Sequence, residues 1–181
     1  YGHYMGILEM GLEVMNTNSI PIYVMPRMKA YIEENKPFNQ LVENKNIKLI
    51  MLKNGVSVKV FDHIYVTPFE VPHRNENSET VGYQIRSLSK SIIYLPDIDS
   101  WEEWNQNIIN VIKENDILFL DGTFYDKEEI KTRNIDKIPH PTIKDSMKKF
   151  SLLDEIDKNK VNFIHLNHTN NILRNTNERS N

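Results

Sequence analysis

At 181 residues with 39% hydrophobic side chains, the chain can bury one substantial core, and residues 1–181 are expected to form a single domain. A net charge of −3 gives no electrostatic case for a nucleic-acid partner, which leaves a small-molecule or peptide substrate. Cysteine is absent, which excludes a disulfide framework, a thiolate zinc site and a cysteine nucleophile, so any metal must be held by histidine and carboxylate.

Apolar residues Ile7, Leu8, Met10, Leu12 and Met15 recur at helical spacing and predict a helix over 5–15, with His3 at its entrance. The run from Ile20 to Met25 predicts a buried strand, and Arg27 to Glu34 and Phe38 to Glu43 predict short helices separated by Pro37. Three β-rich runs follow, Ile47 to Leu52, Val56 to Phe61 and Ile64 to Val71. The turn signals Asn54-Gly55 and Asp62-His63 between them suggest an antiparallel meander. His63 is read as a solvent-facing turn residue.

Thr80 to Arg86 and Ser91 to Leu95 predict two more strands, the second ending at Pro96-Asp97, and the loop beyond carries Asp97 and Asp99. A helix capped by Ser100 or Asp99 is expected to run to Glu114, since Trp101, Trp104, Ile108, Ile109 and Ile112 share one face. Ile117 to Leu120 predicts a strand ending at Asp121-Gly122-Thr123, residues 126–139 an exposed loop, and Thr142 to Ile156 a helix. Val161 to Ile164 predicts a last strand ending at His165. The order is mixed α/β, with a reactive side chain just after one strand after another.

No apolar run reaches the roughly 20 residues that span a bilayer, and no signal-peptide pattern opens the chain. A cytoplasmic protein without a membrane partner is expected; oligomeric state has no signature in the sequence. The chain opens at Tyr1 rather than methionine and closes in a polar tail over 175–181, which suggests a fragment of a longer protein.

His3, His73, Asp97, His165 and His168 all stand at or just beyond the end of a predicted element, and imidazole plus carboxylate is a metal-site vocabulary. Each alone is more often a solvated loop residue. Arg74, Glu76, Glu79 and Thr80 follow His73 closely: a carboxylate there can orient the imidazole and Arg74 can receive an anionic group, or the segment is a charged surface loop. Asp121 can orient a ligand histidine or serve its turn before Gly122. His140, between Pro139 and Pro141, is placed by a restricted backbone either toward a cleft or simply at a helix entry. Tyr83 and Tyr125 either line a pocket or pack.

The residues also spell a series: Gly2-His3-Tyr4-Met5-Gly6, Phe69-Glu70-Val71-Pro72-His73-Arg74 and Ser78-Glu79-Thr80-Val81-Gly82-Tyr83. It continues with Tyr94-Leu95-Pro96-Asp97-Ile98-Asp99, Asp121-Gly122-Thr123-Phe124-Tyr125 and Phe163-Ile164-His165-Leu166-Asn167-His168-Thr169-Asn170. In that order the series resembles the pyrroloquinoline quinone biosynthesis protein B branch of the metallo-β-lactamase superfamily. The resemblance implies an α/β fold, a metallo-β-lactamase-like αββα sandwich that is incomplete in this chain. It implies that His3 is the last histidine of an H-x-H-x-D-H motif, with Gly2 where most members place an aspartate ligand. By the same resemblance His73 is the next ligand, Asp97 the carboxylate that bridges two metals in binuclear members, and either His165 or His168 the final ligand.

A set of this kind takes one or two divalent transition-metal ions and leaves an open position. Zinc there acidifies water, whereas iron held by two histidines and a carboxylate leaves positions for dioxygen. The resemblance implies a metal-dependent enzyme, with His73 and Asp97 at its reacting centre, that takes part in oxidative maturation of a peptide-derived quinone cofactor precursor. The alternatives are a metal-dependent hydrolase of phosphodiester or other ester bonds, and a non-catalytic quinone or peptide carrier.

Overall fold

A computed structural model describes residues 3–129 and 139–173, which form two compact units. Of the described residues, the first comprises 3–56 and 74–79, and the second 57–73, 80–129 and 139–173.

In the first unit, a 3-10 helix over Met5–Met10 leads to strand β1 (Ile20–Val24), helices α1 (Pro26–Glu34) and α2 (Phe38–Glu43), and strand β2 (Ile47–Met51). The helix expected over 5–15 is therefore shorter. Leu12, Val14 and Met15 stay exposed, so the apolar spacing there does not form a continuous buried stripe. β2 pairs in parallel with β1, from Ile20 opposite Ile47 to Val24 opposite Met51, instead of opening the expected meander. Its apolar alternation is equally compatible with either partner, and the two intervening helices provide the crossover that a parallel pair needs. Val24, Ile32, Phe38, Leu41 and Ile47 form this unit's core. α1 begins without a side-chain cap from Met25. The Glu79 carboxylate takes that place, accepting from Arg27 N at 3.0 Å and Met28 N at 3.3 Å.

The second unit is built on a six-stranded sheet of β3 (Val58–Phe61), β4 (Ile64–Glu70), β5 (Val81–Arg86), β6 (Ser91–Leu95), β7 (Ile117–Asp121) and β8 (Val161–Ile164). Strands stand in sequence order; β3 to β6 are antiparallel, and β6, β7 and β8 are parallel. The parallel steps are made by helix α3 (Ile108–Glu114) and by α4 (Ile143–Phe150) with α5 (Glu155–Lys158). Ile93, Leu95, Leu118 and Leu120 point from the sheet into a core shared with Ile108, Val111 and Ile112 of α3 and Phe150 of α4.

Two helices expected from periodicity are shorter than predicted. α3 starts at Ile108, where the Asn107 side chain accepts from Ile109 N and Asn110 N. Residues 101–106 are turns, because Ser100 Oγ closes a local turn on Glu102 N. Trp101 and Trp104 still reach the core, through a Trp101 Nε1 bond to Ser146 Oγ at 2.9 Å and a Phe69–Trp104 ring contact. The helix expected over Thr142 to Ile156 stops at Phe150 and restarts at Glu155, because Asp154 accepts from Asp157 N and caps a new turn. Of the loop expected over 126–139, residues 127–129 form a 3-10 turn and 130–138 lie outside the described residues. Among the described residues no helix is long and apolar enough to cross a membrane.

Gly82 lets the Phe69 ring lie flat on β5: a Cβ at this position would meet Phe69 Cε2 and Cζ at 2.5 Å. Gly82→Ala is expected to cost about 1–3 kcal/mol of stability, read as a lower urea midpoint; an unchanged midpoint would contradict the packing. Asp116 closes the start of the parallel β6–β7 pair. The Ser91 backbone N–H, then Lys90, then the Ser91 hydroxyl hold its carboxyl down at about 2 from the ordinary 3.8. A depressed carboxyl contributes stability above its unfolded pKa and loses it as pH falls through the folded value. Asp116→Asn is therefore expected to be less stable than the parent at neutral pH, with the difference shrinking from about pH 4 downward. A carbon-13 carboxyl titration with an ordinary Asp116 midpoint would refute this.

Candidate metal centre

Strand direction assembles the site. β4 and β6 are both antiparallel to β5 and so run the same way, and β7 and β8 are parallel to β6. The C-terminal ends of β4, β6, β7 and β8 therefore share one edge of the sheet. His73 follows β4, Asp97 and Asp99 follow β6, Asp121 ends β7, and His165 follows β8. Side chains that are distant in sequence converge there because open α/β sheets place their sites at this edge.

Asp121, with 0% exposure, organises the edge. Its Oδ2 accepts from Ile98 N at 3.0 Å and from His140 Nδ1 at 2.7 Å; its Oδ1 accepts from Thr123 N at 2.9 Å and Thr123 Oγ1 at 2.7 Å. The buried charge is thus fully hydrogen-bonded. An ionised carboxylate only accepts, so the neutral His140 ring carries its proton on Nδ1 and presents Nε2 as its lone-pair nitrogen. Thr123 gives its hydroxyl proton to Asp121, so its Oγ1 is an acceptor for His165 Nδ1 at 3.1 Å. Gly122 permits the close approach: a Cβ there would lie 2.9 Å from Ile164 O. His165 sits in the left-handed region at φ 62, which turns the chain sharply as it leaves β8.

His73 is held the same way, with Nδ1 2.7 Å from Asp99 Oδ1, while its Nε2 lies 3.8 Å from Asp97 Oδ1. His165 Nδ1 approaches the same Asp97 oxygen at 3.4 Å. One nitrogen each from His73 and His140 and one carboxylate oxygen from Asp97 lie within 4.8 Å of one another. Burial pushes the His140 imidazole toward neutrality, but the hydrogen bond and charge of Asp121, with the charges of Asp97 and Asp99, outweigh it and raise its pKa above 6.5. Imidazoles whose Nδ1–H is anchored by carboxylate, beside a further carboxylate, fit a divalent transition metal in both donor type and orientation.

His168 is exposed, and it belongs to no converging group of ligand atoms among the described residues. His3 lies exposed at the start of the first unit, and Gly2 lies outside the described residues. Arg74 is exposed in the first unit, where Glu79 caps α1 and Glu76 O accepts from Arg27 Nη2 at 2.7 Å. Tyr125 lies under the Lys144 ammonium, 4.9 Å from the ring centre, and burial pushes the Tyr83 phenol up. The sequence does not mark Asp99 and Thr123 as site residues. The Asp97-Ile98-Asp99 spacing carries a signal for the first, because the fully buried Ile98 between them turns both flanking carboxylates the other way.

Replacing Asp121 by Asn puts an N–H where the buried carboxylate accepts. Asp121→Asn is expected to cost about 1–3 kcal/mol for each buried donor left unpaired, measured by urea unfolding of metal-free protein. Asp99→Asn, at a partly exposed position, should cost less; equal midpoints for Asp121→Asn and the parent would refute this account of the edge.

Comparison with known proteins agrees with the fold. A family model described as a beta-lactamase superfamily domain matches residues 1–166. The crystal structure of zinc-bound PqqB from Methylobacterium extorquens superposes with a TM-score of 0.70 at 19% identity, covering 90% of this chain and 59% of that one. A diphosphatase of the PhnP family superposes with a TM-score of 0.54 at 18% identity, covering 88% of this chain and 53% of that one. The chain thus spans little more than half the length of either structure. No curated protein matches it in sequence. At these identities the two structures bear on fold alone, which is the metallo-β-lactamase-like α/β class.

Proposed function

The chain belongs to the beta-lactamase superfamily domain family, and from that membership and the geometry of the sheet edge we propose that it carries the metal centre of a metal-dependent enzyme. The observation that carries this reading is the meeting of His73, His140 and Asp97 ligand atoms within 4.8 Å, with two of the imidazoles anchored by Asp99 and Asp121 at 2.7 Å. His73 and Asp97 would hold the metal, with His165 as the further ligand that the sequence resemblance implies, and Asp99 and Thr123 would fix the two rings.

When bound, a divalent metal supplies a Lewis acid with an open coordination position. The protein supplies orientation: each Nδ1–H is engaged, so each ring keeps one tautomer and one direction. The reading that follows from the resemblance of the sequence series to the pyrroloquinoline quinone biosynthesis protein B branch is oxidative maturation of a peptide-derived quinone precursor, with iron as the metal and a small molecule or peptide as substrate. The hydrolytic reading is the alternative, with a metal-bound hydroxide as the attacking group. Asp97 Oδ1 lies 3.4 Å from His165 Nδ1 and 3.8 Å from His73 Nε2, so Asp97 would be the carboxylate that both readings use.

Metal-stripped protein titrated with iron(II), zinc and manganese under argon, then assayed for dioxygen uptake and for ester cleavage, separates the readings. Dioxygen consumption with iron supports the first, ester cleavage with zinc or manganese the second. In either case His73→Ala is expected to abolish stoichiometric metal binding. Unchanged stoichiometry would remove His73 from the site, and a parent protein that takes up no metal would leave only a carrier role.

A further inference from the structure

We propose that His140 is itself a metal ligand, completing with His73 and Asp97 a two-histidine, one-carboxylate site that lies wholly within the second unit. The inference rests on the metal-centre reading above and changes its ligand set.

Asp121 has no exposure and is saturated by Ile98, Thr123 and His140, so the proton on His140 Nδ1 is fixed and the ring's coordinating lone pair is on Nε2. His73 is fixed identically through Asp99. Two rings thus present the same nitrogen, and their centroids stand 5.2 Å apart at an interplanar angle of 52°. Rings so placed and inclined can direct two lone pairs to one point, and one ring nitrogen of each lies within 4.8 Å of the other and of an Asp97 carboxylate oxygen.

His140 is also rigidly held. Pro139 and Pro141 bracket His140, the Phe124 ring meets its imidazole edge-on at 5.7 Å, and its side chain keeps only 9% exposure. Ile143 N and Lys144 N bond to Phe124 O and Tyr125 O, which ties the entry of α4 to the loop after β7. A ligand held this firmly needs little reorganisation on binding. Two histidines and one carboxylate leave further positions open on a six-coordinate ion, which suits iron(II) over a closed tetrahedral zinc site.

The test uses the whole chain, stripped of metal and titrated anaerobically with cobalt(II), followed by absorption and by metal analysis. Parent protein is expected to bind cobalt tightly, and both His140→Ala and His140→Gln to weaken that binding at least 100-fold while keeping the parent's circular dichroism. In long-range proton–nitrogen spectra of zinc-loaded parent protein, His140 Nε2 is expected to shift on loading and Nδ1 to stay protonated, a readout independent of how the variants fold. A His140 Nε2 resonance unmoved by loading, or cobalt binding unchanged in both variants, overturns the ligand role. If cobalt binding also survives in His73→Ala, the metal-centre reading itself falls; if only the His140 variants are silent, that reading stands and this one does not.

Discussion

The structure of the second unit depends on one buried carboxylate. A carboxylate withdrawn from water costs several kcal/mol unless its lone pairs are all engaged, and Asp121 meets that condition only by drawing on three separate segments. Ile98 brings the loop after β6, Thr123 the turn after β7, and His140 the entry to α4. Each needs Asp121, and Asp121 needs each. Thr123 extends the arrangement to His165 and so to the end of β8. The loops bearing the candidate ligands are therefore set in register by electrostatics rather than by loop packing alone.

That carboxylate can act only because the sheet delivers the loops to it. The antiparallel turns from β4 through β6 return the chain to the direction it had in β4, and two helical crossovers preserve it through β8. The apolar layer beneath, with Leu95, Leu118, Leu120 and Ile98 fully buried, fixes where each strand ends. A polar residue placed at such an end is held on a rigid scaffold while its side chain stays available for chemistry.

The strands of the second unit are legible in the sequence because their apolar alternation stops abruptly at a polar residue: Leu95 before Pro96-Asp97, Leu120 before Asp121, Ile164 before His165. Pairing is not legible in the same way. Nothing in Ile47 to Leu52 says whether its neighbour precedes or follows it, so the parallel β1–β2 pair emerges only from the fold. The turns around Trp101 and Trp104 mimic a helix because both indoles must reach one core, and burial imposes the spacing that helices share. Of the site, the sequence marks His73, Asp97, Asp121, His140 and His165 as candidates by position. It is silent on which carboxylate orients which ring, since the His73–Asp99 and His140–Asp121 pairs are set by tertiary contact. Glu79 illustrates the opposite case: its position after His73 suggests chemistry, and the fold uses it to cap α1.

On the proposed reading, Asp97 lies at the heart of a metal centre built from the strand ends of the second unit. Anomalous diffraction from crystals of the chain grown with iron(II) or zinc tests it most directly. The account predicts a peak about 2.0–2.2 Å from an Asp97 oxygen and from imidazole nitrogens of His73 and at least one other of the named histidines. A bound metal whose peak lies away from Asp97 and His73, at any other group of residues, would contradict it.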